Sequence, residues 1–214
     1  MTDPAPLHYG WWLASRASGV VALGLVACSV ALGLAMAARV TPRRSTRRLR
    51  RLHEHLALVG LLAIATHGLT LLGDPWLHPG PVGVTVPFAL SYRPVATGLG
   101  VIAGYGAALL GLSFYLRRRI GPPLWRKLHR LTVVVYVLAV VHALAAGTDA
   151  PTPWLRTLVV ATALPIGVLF VLRVGGTGAG RAGPAAGTPR SPRLDGPDLD
   201  DVRAGGDLGH APGQ

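Results

Sequence analysis

Residues 50–73 read RRLHEHLALVGLLAIATHGLTLLG. A basic cluster gives way to an apolar run long enough to cross most of a bilayer, and a histidine stands near each end, His53 and His67. Residues 125–147, WRKLHRLTVVVYVLAVVHALAAG, repeat the design, with His129 near the basic end and His142 deep in apolar sequence. The spacings are fourteen and thirteen residues. At about 1.5 Å rise per helical residue, each pair is separated by roughly 20 Å along its helix. Two such helices running the same way present histidines at two matched depths.

The rest of the chain supplies a membrane setting for those helices. Half of the 214 residues are hydrophobic and only 14% are charged. The apolar residues fall in blocks of about twenty, separated by short arginine clusters, which is the composition of a polytopic membrane protein. The net charge of +12 does not indicate nucleic acid as a partner. Thirteen of the 21 Lys and Arg lie in residues 39–51 and 117–130, each flanked by hydrophobic blocks, which fits the positive-inside rule. The single cysteine, Cys28, excludes an intrachain disulfide.

In order, residues 1–10 form a short polar leader, and Trp11 and Trp12 fit an interfacial belt. Spans are expected over residues 13–38, 52–72, 94–116, 128–146 and 154–174. A cleaved signal peptide could use Arg16 as its basic region and Ala35-Met36-Ala37 as its cleavage site. Its apolar region is longer than a signal peptide needs, and cleavage would leave the arginine-rich residues 39–51 outside, so the helix is read as retained. The third span is glycine-dense, and Gly100 and Gly104 form a G-x-x-x-G that allows close helix approach. Pro165 is expected to kink the fifth span. Residues 74–92 read as a loop. Residues 175–214 are rich in Gly, Pro, Ala, Asp and Arg without apolar periodicity, and read as a disordered cytoplasmic tail. The expected architecture is all-α: a membrane bundle of about five helices over residues 11–174, N-terminus outside and C-terminus inside.

A histidine inside a transmembrane helix is costly and marks a site by default. The bland reading is an interhelical hydrogen bond. Four placements at two matched levels favour ligation over four separate hydrogen bonds. Haem suits the geometry physically: its plane is apolar and fits between helices, and neutral imidazoles on opposite faces complete the iron's axial coordination. The anionic propionates need cations. Arg47, Arg48, Arg50, Arg51, Arg126 and Arg130 lie at the inner level, and Arg16 and Arg93 are available at the outer level, with a lipid phosphate as the alternative partner of Arg16.

One geometric conflict remains in the sequence. Fourteen residues return a side chain to within about 40° of its starting face, but thirteen leave it roughly 140° away. His129 and His142 therefore cannot share a face of an ideal helix: either the span is over- or under-wound, or the cofactors meet it from different sides. His55 competes with His53, but stands about 120° off the face of His67, so His53 is preferred. His8, His78 and His210 read as surface histidines.

His53-x13-His67, His129-x12-His142, the local texts RRLHEHLALVGLLAIATHG and LWRKLHRLTVVVYVLAVVHAL, and the opening WWLASRASGV together resemble the ferric reductase-like transmembrane domain family. That family includes ferric reductases, the membrane core of NADPH oxidases and the haem subunit of a bacterial periplasmic methionine sulfoxide reductase. The resemblance covers about residues 11 to 174. It implies electron transfer from the cytoplasmic to the outer face through two b-type haems, with His53 and His129 at the inner haem and His67 and His142 at the outer. Many family members continue into a cytoplasmic flavin- and NAD(P)H-binding domain, whereas no glycine-rich phosphate-binding motif follows a strand here.

The expectation is thus a multi-pass subunit of a bacterial plasma membrane, the haem-b component of an oxidoreductase without a flavin domain of its own. Its electron donor would be a cytoplasmic or membrane partner, such as a flavin reductase or a quinone, and its acceptor would lie at the outer face. The rival readings are a transporter or metal-permeation protein using intramembrane histidines, and a noncatalytic assembly subunit. Against the first rival, no inverted repeat is visible.

Overall fold

The computed structural model describes residues 7–179, with the backbone alone for residues 7, 8, 43 and 176–179. Helix is the only regular secondary structure among the described residues, with no strand. The elements are α1 (Leu7–Ala37), α2 (Thr46–Leu71), α3 (Gly80–Thr85), α4 (Pro94–Ile120), α5 (Pro122–His129), α6 (Thr132–Ala146) and α7 (Pro153–Ala179), with a 3₁₀ turn at Arg43–Ser45 before α2. Among the described residues, five stretches are long and apolar enough to cross a membrane: Tyr9–Ala37, Thr46–Leu71, Pro94–Ile120, Pro122–Ala146 and Pro153–Gly175. The chain is a polytopic α-helical membrane protein.

Most differences from the sequence expectations lie at element ends. Helix α1 begins at Leu7, inside the leader. Helix α2 begins at Thr46, so part of the first arginine segment is helical rather than loop. The 74–92 connection contains the short helix α3, and Asp74 holds its entry by accepting the Trp76 and Leu77 amides at 2.9 and 3.1 Å. Helix α7 runs on through Pro165 and extends to Ala179; the remainder of the expected tail, with His210, lies outside the described residues.

Helices α1 and α2 are antiparallel neighbours, since Ser15 meets His67 while Ser29 meets His53. Helices α4 and α6 pair in the same sense, and α2 meets α4 through Glu54–Tyr115 and Ile64–Gly104. A second seam joins α1, α6 and α7, where Leu23, Ala27, Val30, Tyr136, Val159 and Ile166 form the buried core. Within that core Ala27 of α1 is 1% exposed. The Tyr136 hydroxyl shares a 2.9 Å hydrogen bond with Thr162 Oγ1 across α6 and α7. Thr162 also bonds its own helix at Leu158. Tyr136→Phe therefore leaves no orphaned donor on Thr162, and should cost only about 0.6 kcal/mol, up to about 1.7, in reversible detergent unfolding.

The angular conflict in the fourth span is resolved by a break. Around Arg130 and Leu131 the backbone bonds tighten to i→i−3: Arg130 N to Lys127 O, Leu131 N to Leu128 O and Val133 N to Arg130 O, at 3.3, 2.9 and 3.4 Å. The α pattern resumes with Val135 N to Leu131 O at 3.0 Å, and Thr132 Oγ1 donates to the His129 carbonyl at 2.8 Å. A 3₁₀ turn advances about 120° per residue instead of about 100°, so four such residues recover roughly 80° of the missing phase. Over-winding brings His129 and His142 towards a common face.

Candidate functional site

The four histidines meet as two pairs. His53 of α2 faces His129 at the end of α5, with ring centroids 6.1 Å apart and planes at 90°. His67 of α2 faces His142 of α6 at 6.3 Å and 72°. Helices α2 and α6 thus run the same way, and each sequence pair is split between the two levels. His55 lies outside both pairs; it is exposed, and its Nδ1 bonds the Arg51 carbonyl of its own helix at 2.8 Å. His78 is exposed in the 74–92 connection.

Three of the four rings are oriented by a neighbouring helix. His67 Nδ1 donates to the Ser15 carbonyl at 2.8 Å, with Ser15 Oγ at 3.2 Å. His53 Nδ1 donates to the Ser29 carbonyl at 2.8 Å, with Ser29 Oγ at 3.0 Å. His142 Nδ1 donates to the Ala96 carbonyl at 2.9 Å. A carbonyl can only accept, so the hydrogen sits on Nδ1 and Nε2 carries the free lone pair, the state a metal-ligating imidazole requires. His129 differs: among the described residues its buried Nδ1 makes no hydrogen bond of normal geometry, and the Trp125 ring stacks on it at 4.9 Å and 21°.

Glycines make room for three of the rings. A Cβ built at Gly19 falls 3.0 Å from His67 Nδ1, and one at Gly33 falls 3.3 Å from His53 Cε1. At Gly100 it would lie 2.6 Å from His142 Cε1. The G-x-x-x-G of α4 therefore serves two purposes, because Gly104 faces Ile64 of α2 at 3.6 Å. The sequence held a signal for the α1 contacts: Ser15 and Ser29 are fourteen residues apart, Gly19 and Gly33 likewise, matching His53 and His67.

These residues fit a bis-imidazole haem iron. A metal–imidazole nitrogen distance of roughly 2.0–2.1 Å on each side, plus about 1.1 Å from nitrogen to ring centre, places the two ring centroids roughly 6.3 Å apart. Both observed separations agree with that spacing. Among the described residues, no three His, Cys, Asp or Glu side chains gather into a metal-holding cluster.

The basic residues separate into two groups. Arg51 and Arg130 are exposed at the arginine-rich end, beside the His53–His129 level. At the other end Arg93, in left-handed backbone with φ 43°, donates to the Ala145 carbonyl at 2.5 Å. Arg16 lies over the Trp12 ring at 4.0 Å and is engaged by Asp149 of the α6–α7 connection: Nε bonds Oδ2 at 2.9 Å and Nη2 pairs with Oδ1. Sequence reasoning missed that partner, which lies 133 residues away. Because both groups are largely buried, Asp149→Ala leaves a guanidinium without its counter-ion. The variant should melt at lower temperature than the parent, and the double variant with Arg16→Gln should recover part of the loss; equal melting of all three would show the pair to be energetically idle.

The fold and site define a polytopic helical membrane protein with two stacked imidazole pairs between two co-directional spans. The family model described as ferric reductase like transmembrane component matches residues 18–140, more than half of the chain. The chain belongs to the ferric reductase-like transmembrane family, whose membership points to electron transfer across a membrane. The matched stretch includes His53, His67 and His129, and stops two residues short of His142. No curated protein and no solved structure matches the chain.

Proposed function

We propose that the chain is a transmembrane electron-transfer subunit with two bis-histidine b-type haems, carrying electrons from the cytoplasmic to the outer face. The observation that carries this reading is the double pairing of rings at 6.1 and 6.3 Å, in a chain of this family. His53 and His129 are the ligands of the inner level, and His67 and His142 those of the outer. When bound, haem supplies one-electron ferric–ferrous exchange at each level.

The protein's own work is to position, insulate and balance charge. The Ser15, Ser29 and Ala96 carbonyls hold three rings in the ligating tautomer. The apolar faces of α2, α4 and α6 exclude water from the path. Arg51 and Arg130 are the proposed propionate partners at the inner level. At the outer level Arg93 serves, with Arg16 offering its Nη1, which lies outside the Asp149 pair. The concentration of arginines in residues 39–51 and 117–130 supports a cytoplasmic placement of that end, with the N-terminus outside, in the plasma membrane of a bacterium. Electrons would come from a cytoplasmic or membrane donor such as a flavin reductase or a quinol, and leave to an acceptor at the outer face.

The purified chain, reconstituted in liposomes loaded with dithionite, should reduce an external membrane-impermeant ferric complex. Liposomes containing a His67→Ala, His129→Ala double variant should not do so. Equal rates from parent and double variant would contradict conduction through the histidine levels.

A further inference from the structure

Of the four imidazoles, three share one arrangement. The carbonyl of residue i accepts from Nδ1, and a glycine at i+4 lets the ring approach: Ser15 and Gly19 for His67, Ser29 and Gly33 for His53, Ala96 and Gly100 for His142. His129 lacks that hydrogen bond. The backbone of Leu110 in α4 interacts with it, but its buried Nδ1 makes no hydrogen bond of normal geometry among the described residues.

What His129 has instead lies on its own helix. Helix α5 leaves α4 at Gly121, with φ 90°, and starts on Pro122 and Pro123. Trp125 and His129 are then one turn apart, the i,i+4 spacing that brings side chains together on a helix. Their rings stack at 4.9 Å and 21°, within the range of offset aromatic pairs. The indole is fixed from α4: Nε1 donates to Ser113 Oγ at 3.1 Å, and Ser113 Oγ donates to the Leu110 carbonyl at 2.7 Å. Phe114 of α4 adjoins the indole, with centroids 6.0 Å apart. Helix α4 therefore reaches both histidines of the fourth span, His142 through a carbonyl and His129 through an indole. The position needs such a fixture, because His129 is the last residue of α5 and the 3₁₀ turn follows directly.

We infer that Trp125 is the positioning residue of His129: anchored on Ser113, its indole sets by stacking the plane of the one imidazole that lacks a carbonyl acceptor of normal geometry. What this does for iron rests on the haem reading; the stack itself does not. When haem is bound, the orientation of one axial imidazole fixes its angle to the opposite one, and the His53 and His129 planes stand at 90°. That angle sets the anisotropy of the ferric low-spin electron paramagnetic resonance signal, so a ring released from its stack changes the signal.

The test compares Trp125→Leu, Trp125→Phe and Ser113→Ala in the full chain. Trp125→Leu should weaken haem binding at the His53–His129 level about tenfold, the lower end of the range for losing an orienting partner. It should also shift or broaden the ferric signal of that haem alone. Trp125→Phe keeps an aromatic ring and loses the anchor; Ser113→Ala keeps the indole and loses the same anchor. Both should have smaller effects of similar size, and combining them should add nothing, since either alone breaks the one contact. Equal haem loss from both levels, ferric signals unchanged in all three variants, or fully additive effects of the two milder substitutions would each overturn the proposal. The stack is read without haem chemistry by a nuclear Overhauser contact between the Trp125 indole and the His129 ring, in protein labelled at tryptophan and histidine. It should be present in the parent and weaker in Ser113→Ala. Its absence in the parent overturns the proposal whether or not haem is bound; a colourless protein that shows it contradicts the proposed function alone.

Discussion

Replacing His67 by Ala should halve the haem content of the purified chain, and replacing His142 should remove the same haem. The two variants are equivalent because each deletes one side of a single imidazole pair, whose centroids lie 6.3 Å apart. His53→Ala and His129→Ala should together define the other haem, through the 6.1 Å pair. The effect is large because, among the described residues, neither pair is joined by a third His, Cys, Asp or Glu in a group that could hold a metal ion. His55 is exposed and bonded to its own helix. His55→Ala should therefore leave both haems in place. Pyridine haemochrome counts on the five variants check the pattern. A result in which His53→Ala and His67→Ala deplete the same haem would break the pairing of levels.

The second large effect is expected from a methyl group. In Gly100→Ala, the new Cβ falls 2.6 and 2.7 Å from His142 Cε1 and Cγ, so the ring or the helix must move. A ring that moves leaves the Ala96 carbonyl, and loss of such an orienting partner typically costs 10–100-fold, of order 1.4–2.7 kcal/mol, in metal affinity. Gly100→Ala should weaken binding at the His67–His142 level to about that extent and spare the other level. Gly104→Ala, one turn along the same helix, has its nearest neighbour at an ordinary 3.6 Å. There the usual helical advantage of alanine, about 0.5–1 kcal/mol, should appear as a small gain in stability. Opposite signs at two glycines of one G-x-x-x-G would separate ring accommodation from helix packing; a loss of haem in both would show that α4 simply cannot move closer to its neighbours.

The two glycines also illustrate what a sequence makes legible. Spans were visible because twenty-residue apolar blocks are a length signal that a bilayer imposes. The two levels were visible because histidine is rare in such blocks and its spacing could be counted. The choice of His53 over His55 followed from helix phase, and the structure places His53 in a facing pair. Thirteen residues between His129 and His142 looked inconsistent with one face because phase counting assumes an unbroken helix; the i→i−3 bonds at Arg130, Leu131 and Val133 supply part of the missing rotation. The orienting groups at Ser15, Ser29 and Ala96 are backbone carbonyls, which every residue possesses, so side-chain identity cannot reveal them. Only the accompanying glycines leave a trace. Arg16 was expected to need an anion, but its partner Asp149 is brought to it by the folding of α6 and α7 against α1.

A reduced-minus-oxidised visible spectrum of the purified chain, paired with a pyridine haemochrome assay, tests the central claim most directly. Two facing imidazole pairs predict six-coordinate b-type bands on dithionite reduction and two haems per chain. A colourless protein from haem-replete cells would contradict the account, leaving the paired histidines to a metal-permeation or assembly role.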